Sequence, residues 1–445
     1  MRNLPAILGG DKVREKPFPR RITMGAEEKK AVQDVMDSDV LSAFFGSPGE
    51  LFLGGPKIKE FENNWARDFG FKYAISVNSW TSGLMIALGS VGIEPGDEVI
   101  CSSYTMSASA SCCFFYGAIP VFADINPRNY CIDPESFEKL ITPRTKAIIV
   151  VHLFGGVADM DAILAIAKKH NIKVIEDAAQ APGVKYKGRP VGCLGDIGGY
   201  SLNYHKHIHT GEGGMLATND PEIAKIARAI RNHGENTIET ESPENFVNYV
   251  GGNFRLTELQ AAIGIEQLKK LNKYVATRQS LAFRFTEGLN KIKGLNAEQN
   301  DLENNSYYLY PFKYDSKVIG LSRNLFVKAV LAELPDPVDF EDTALAGGYL
   351  KPLYLNPIYQ KQIAIGKKGF PFNFNEGVKY DYSKGICPVA ERLYERELVL
   401  SPLIREPLEL SDVDDILTAI NKVVNSAVQI REAFPDVNDD IIDYV

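Results

Sequence analysis

Between residues 73 and 219 the chain alternates short apolar runs with stretches of helical periodicity, and that alternation narrows the folds open to it. The runs are YAISV (73–77), EVICS (98–102), IPVFAD (119–124), KAIIVVHLF (146–154) and KVIEDAA (173–179), each rich in Val and Ile or closed by Gly, Pro or Asp. Between them lie segments such as SGLMIALGSVG and MDAILAIAKKHN, whose apolar residues recur at helical spacing. Such alternation predicts an α/β fold, a mostly parallel sheet with helices on both faces. Ligands in open α/β sheets bind at the carboxyl ends of the strands, so the residues just after these runs are the first candidates for a site.

Downstream, TELQAAIGIEQLKKLNKY (257–274) predicts a long helix. Thr257 is its N-cap, and Gln260 reaches back to complete a capping box. Past residue 280 the pattern changes: NNSYYLYPFKYD (304–315) reads as a strand opening a smaller α+β domain, closed by a helix over LSDVDDILTAINKVVNSA (410–427). The aromatic, Gly- and Pro-rich stretch 347–374 reads as a long ordered loop of the type that contributes to binding sites. The expected division is therefore an N-terminal segment with a large domain over 1–280 and a small C-terminal domain over 281–445, in keeping with a length of 445 residues.

Composition excludes several classes. With 49 basic against 57 acidic residues the formal charge is −8, and no Lys/Arg block favours nucleic acid. No apolar run reaches membrane-spanning length, and the short run near the N-terminus, broken by Gly and followed by charge, is no secretory signal. The six cysteines (Cys101, Cys112, Cys113, Cys131, Cys193, Cys387) form no CxxC pair and read as reduced thiols of a cytoplasmic protein.

The stretch NYHKHIHTGEGG (203–214) places His205, His207 and His209 at alternate positions, with Lys206 between two of them. On an extended segment the imidazoles share one face and the lysine takes the other. Three histidines could bind a metal, but steps of roughly 6–7 Å along a strand keep the first and third from one ion without a bend. The expectation is no metal. A lysine in a pocket that lowers its pKa becomes a nucleophile toward carbonyls, and Lys206 stands before a backbone-exposing TGEGG turn and after a strand end in GYSLN. Upstream, Asp177 ends a strand in VIEDAAQA. A carboxylate there can hold a pyridine nitrogen protonated, although a helix N-cap is the bland alternative. NSWTSGL (78–84) opens a helix after the first run, so the amides of Thr81 and Ser82 can bind an anion, with simple capping by Ser79 or Thr81 the competing role.

Taken in order, VIEDAAQAPG, GDIGGYSLNYHKHIHTGEGGML and GNFRLTELQAAIGIEQL, with FENNWARDFGFKYAISVNSWTSGL before them and LVLSP after, resemble the DegT/DnrJ/EryC1/StrS group of pyridoxal-phosphate-dependent sugar aminotransferases. The resemblance covers nearly the whole chain and implies fold-type I architecture, with pyridoxal 5'-phosphate as cofactor. It implies that Lys206 holds the cofactor and shuttles a proton, that Asp177 partners the pyridine nitrogen, and that Gln180 lies near the phenolic oxygen. Thr81, Ser82 and Ser201 match phosphate-binding positions. Asn253 matches an asparagine that reaches the phosphate of the neighbouring subunit, implying a homodimer with shared sites. The chain departs from the group at Trp80, where Gly or a small residue is common, and at Met106, where an aromatic often stacks on the ring; either Met106 or Tyr104 takes that place.

The implied reaction moves an amino group from glutamate or glutamine to a nucleotide-linked keto-sugar or a keto-cyclitol. A sugar dehydratase or lyase, and a non-catalytic binder with a pocket crowded by Trp80 and Met106, are the alternatives. His205 and His207 are candidates for proton transfer, with packing and hydrogen bonding around the lysine turn the competing role. Tyr310 and the 347–374 aromatics are candidates to line the sugar site or, equally, to fill the core. Arg255 and Glu258 are expected to tie the helix start together.

Overall fold

All five apolar runs become strands of one sheet in the computed structural model, which describes residues 4–240, 247–297, 304–337 and 343–435. They are β1 (Tyr73–Val77), β2 (Glu98–Ser102), β3 (Ile119–Ala123), β4 (Thr145–Val151) and β5 (Lys173–Asp177). Two further strands, β6 (Ile197–Ser201) and β7 (Gly214–Thr218), complete a seven-stranded sheet of order β1-β7-β6-β5-β4-β2-β3. Only β7 runs antiparallel to its neighbours. A parallel neighbour would need a crossover, and residues 202–213 are spent on the lysine turn instead. Helices cover both faces, so β2 is buried along its whole length, and its apolar centre Val99–Cys101 runs without alternation between Glu98 and Ser102.

The helices that place the site start and stop where their sequences dictate. The first three are α1 (Ala26–Ser38), α2 (Pro56–Phe69) and α3 (Trp80–Ser90), the last capped by Ser79, whose hydroxyl accepts from the Ser82 amide. In α4 (Met160–His170), Asp159 caps the start and Asn171 ends the helix in the left-handed region. The helix predicted over 257–274 runs further, as α5 (Glu258–Leu289), with the Thr257–Gln260 capping box formed as expected. It continues because Val275, Leu281, Ala282, Phe285 and Leu289 keep helical spacing and stay buried.

That length makes α5 the bridge between two cores. Ala261, Ile265 and Leu271 pack with Phe61 and Trp65 of α2, whereas Leu281, Phe285 and Leu289 pack against the small antiparallel sheet. This sheet comprises β8 (Leu295–Asn296), β9 (Tyr310–Tyr314), β10 (Ala346–Gly347) and β11 (Leu398–Ser401) in the order β8-β9-β11-β10, covered by α6 (Arg323–Ala332) and α7 (Leu410–Asn425). The change of core falls near residue 280, within a continuous helix rather than at a linker. The loop 347–374 and the segment after it fold back onto the large sheet: Tyr349, Tyr354, Tyr359, Phe372 and Tyr382 belong to its core. Among the described residues no helix is long and apolar enough to cross a membrane.

Candidate active site

Asp177 closes β5 at the carboxyl edge of the sheet, almost fully buried. Its Oδ1 accepts the Trp80 indole N–H at 2.7 Å and the Ala179 amide at 3.2 Å, and its Oδ2 accepts the Ser109 hydroxyl at 2.7 Å. All three donors are neutral. Several other buried acids meet a cation: Glu62 has Arg231 at 2.6 Å, Glu28 has Lys270 at 2.6 Å and Glu333 has Lys422 at 2.7 Å, whereas Glu258 and Glu391 are held by backbone amides and, for Glu391, a tyrosine hydroxyl. Among the described residues Asp177 has no ion-pair partner within 4.0 Å, and a buried carboxylate in that position calls for a positive group from a ligand.

Lys206 follows β6, the strand beside β5, on a turn closed by its own amide to the Asn203 carbonyl at 2.9 Å. The side chain is buried, with Nζ 4.0 Å from the centre of the Tyr308 ring. Two guanidiniums fix this arrangement. Arg21 Nη2 donates to the carbonyls of Lys206 and His207, each at 2.8 Å, and Arg278 Nη1 donates to the Tyr307 carbonyl at 2.9 Å. The Glu406 carboxylate joins them, at 2.9 Å from Arg21 and 3.1 Å from Arg278. Burial alone would raise the Glu406 pKa, but the Arg278 and Arg21 charges outweigh it and hold it below the ordinary value.

The histidine stretch is not extended. A turn through 204–208 replaces the strand on which the imidazoles would share a face, and each takes its own partner. His205 packs edge-on to Tyr204, His207 Nε2 donates to the Ser306 carbonyl at 2.8 Å, and His209 shares a hydrogen bond of 2.8 Å with Thr23. Burial, reinforced by Lys206 and Arg405, pushes His205 down to about 3; burial and Arg21 push His209 down to about 4. Burial and the Arg278 charge hold His207 well below its usual value. All three rings are neutral at physiological pH.

Gln180 links the two motifs. Its side-chain oxygen accepts the Phe154 amide at 2.7 Å, its Nε2 donates to the Tyr349 hydroxyl at 3.2 Å, and its carbonyl accepts the Ser306 hydroxyl at 3.0 Å. Since Ser306 also receives His207, one short relay runs from the Asp177 loop to the residue beside Lys206. Ser82 sits buried in the first turn of α3 beside the half-buried Thr81, and Ser201 ends β6 with its hydroxyl accepting the Asn203 amide at 3.3 Å. Asn253 is exposed, its backbone carbonyl accepting from the Asn78 side-chain Nδ2 at 3.3 Å.

The aromatic candidates divide. Tyr104 is fully buried, its hydroxyl accepting the Tyr349 amide at 2.9 Å, while Met106 is 49% exposed with its sulfur engaged by the Ala108 amide. Tyr310 is not at the site. It is fully buried in the small-domain core, stacked on Tyr307 and hydrogen-bonded to Thr286, because β9 directs it against α5. From the same YYLY run it is Tyr308 that meets Lys206. Trp80 does not crowd an open pocket either, since its ring is buried between α3 and the sheet. Arg255 and Glu258 do tie the helix start, to Asn232 and Asn253 and to the Lys57 amide. Sequence reasoning missed Arg21, Arg278 and Glu406, whose partners are too distant along the chain to leave a local signal, and Ser109, which lies in an ordinary-looking SASAS run.

This donor set fits pyridoxal phosphate: a buried carboxylate without a cation among the described residues, a buried lysine on the turn that follows the neighbouring strand, and a helix N-terminus with Thr81 and Ser82 in its first turn. Comparison with known proteins agrees. The chain is 35% identical to the spore coat polysaccharide biosynthesis protein SpsC of Bacillus subtilis over 418 residues, covering 91% of this chain and 96% of that one. It is 33% identical to an L-glutamine:2-deoxy-scyllo-inosose aminotransferase of Streptoalloteichus tenebrarius, covering 96% and 99%. The X-ray structure of an aminotransferase from Psychrobacter cryohalolentis superposes with a TM-score of 0.75 at 30% identity, covering 93% of this chain and 100% of that one. With the model of the DegT/DnrJ/EryC1/StrS aminotransferase family matching residues 23–372, the chain belongs to that family.

Proposed function

We propose that this pyridoxal-phosphate-dependent aminotransferase takes its amino group from glutamate or glutamine and delivers it to a keto-cyclitol or a nucleotide-linked keto-sugar. The observation that carries the site is Asp177, a buried carboxylate without a cation among the described residues, beside the strand that leads to the buried Lys206. Pyridoxal phosphate, when bound, supplies a carbonyl and a protonated ring that accepts electrons. Asp177 holds the ring nitrogen's proton and balances its charge. Thr81, Ser82 and Ser201 bind the phosphate, and Gln180 orients the phenolic oxygen. Lys206 Nζ takes the proton from the α-carbon of the amino donor and returns one on the way to product, a general acid–base role. Tyr308 and the Arg21 clamp confine that amine to one approach. The lowered pKa values of His205 and His207 leave both rings neutral, so neither places a positive charge beside it.

The polysaccharide-related and inosose-related relatives support a polyhydroxylated ring ketone as acceptor. Met106 is exposed and Trp80 is buried away from solvent, which removes the crowding that suggested a non-catalytic binder. The same reading places Asn253 at the site of a second subunit in a homodimer, and the six buried, unpaired thiols support a cytoplasmic location. It also retains a large domain over 1–280 and a small one over 281–445, the segment 347–394 lying against the former.

The deciding experiment incubates the holoenzyme with glutamate or glutamine and panels of keto-cyclitols and nucleotide-linked keto-sugars, with mass spectrometry of products. A donor-dependent amine from one panel is expected; acceptor consumed without amine overturns the aminotransferase assignment in favour of a lyase.

A further inference from the structure

Trp80 is the residue in the cofactor motif that family resemblance leaves without a role, and the structure gives it one. It opens α3, immediately before Thr81 and Ser82, and its indole crosses beneath the helix to reach Asp177 Oδ1 at 2.7 Å. Two glycines make room for the ring. A Cβ on Gly83 would stand 2.5 Å from Trp80 Cε3, and one on Gly199 would stand 2.4 Å from Trp80 Cζ3. The slot is thus written into three separated positions, WTSG and GDIGGYS, and its floor is the β6 residue paired with Asp177 itself.

An ionised carboxylate offers about four acceptor positions, two on each oxygen. Trp80 and Ala179 take both on Oδ1, and Ser109 takes one on Oδ2. What is left is a single position on Oδ2.

We propose that Trp80 is a positioning residue: its indole N–H locks the Asp177 carboxylate so that only Oδ2 can receive the pyridine N–H of the cofactor. Because the same residue begins the phosphate-binding turn, the two anchor points of the cofactor are joined through one rigid side chain. This deepens the proposed function and rests on its cofactor assignments.

The test labels the indole nitrogens with 15N. The chain has two tryptophans, so the side-chain spectrum contains two signals, and Trp65→Phe identifies that of Trp80. Pyridoxal phosphate added to the apo-protein is expected to move the Trp80 signal, and Asp177→Asn to move it in the absence of cofactor. Trp80→Phe, which keeps an aromatic ring in the slot but removes the N–H, is expected to weaken cofactor binding about tenfold or more, the ratio for losing a hydrogen bond to a charged group. It should also shift the pH midpoint of the bound cofactor's absorbance, which a loss of packing alone would not do. Unchanged affinity and midpoint in Trp80→Phe overturn the proposal while leaving the cofactor assignment intact. If that variant does not fold, a Trp80 signal that ignores both cofactor and Asp177→Asn overturns it instead. Failure of the wild-type protein to bind the cofactor overturns the cofactor assignments themselves.

Discussion

The amine of Lys206 is useful because of what surrounds it, and its removal separates chemistry from folding. Lys206→Ala deletes a buried amine that rests on Tyr308. Turnover is expected to fall by at least the factor of about 10²–10⁴ that general acid–base catalysis supplies, with the thermal midpoint of the apo-protein nearly unchanged, as steady-state kinetics and calorimetry can check. The neighbouring histidines predict a pH effect on stability. Folded His205 and His209 titrate near 3 and 4, whereas in the unfolded chain they titrate near 6.5. As the pH falls through 6.5 the unfolded state therefore takes up protons that the folded state refuses. Stability is full above that value and declines toward the folded pKa values. Urea midpoints at pH 7 and pH 5 should show the decline, and His209→Gln should reduce it; an equal decline in the variant would remove His209 from the account. Both imidazoles were visible in the sequence, but their separate partners were not, because a turn replaced the extended segment that alternation suggested.

At the scale of elements, α5 was legible at its start and underestimated at its end. The capping box needs only residues three apart, so TELQ revealed it: Gln260 receives the Thr257 amide at 3.2 Å and gives its own to Thr257 Oγ1 at 3.3 Å. Its worth is testable by Thr257→Ala, expected to cost about 0.5–2 kcal/mol in chemical denaturation. Gln260 Nε2 also donates to the Glu212 carbonyl in the turn after Lys206, so the helix start braces that turn. Gly199 offers a harsher test. An added Cβ would lie 2.1 Å from the Met215 carbonyl as well as against Trp80, so Gly199→Ala should destabilise by about 1–3 kcal/mol through overpacking, measured in the same way. The paired glycines of GDIGGYS gave no warning of this role, since a close approach across a sheet leaves no local periodicity.

Across the whole molecule, the site is held by contacts between segments far apart in the chain. Glu406 joins the N-terminal Arg21 to Arg278 of α5, and through them to the backbone of Lys206 and Tyr307. Glu406→Gln leaves two buried guanidiniums without their carboxylate and should cost about 3–5 kcal/mol by urea denaturation, together with a loss of cofactor affinity; an unchanged urea midpoint would deny the clamp its importance. The proposed dimer makes a prediction at this scale too: mixing inactive Lys206→Ala with an inactive Asn253 variant should restore part of the turnover, because a mixed pair regenerates one complete site. The sequence by itself determined the large sheet's five apolar strands, the helix starts and the order of the cofactor motifs, since these depend on periodicity, caps and turns within a few residues. Tertiary structure alone decided which tyrosine of YYLY meets the lysine, where Trp80 points, and that residues 347–394 return to the large core. Those outcomes depend on which distant surfaces are left to bury, and no window along the chain contains that information.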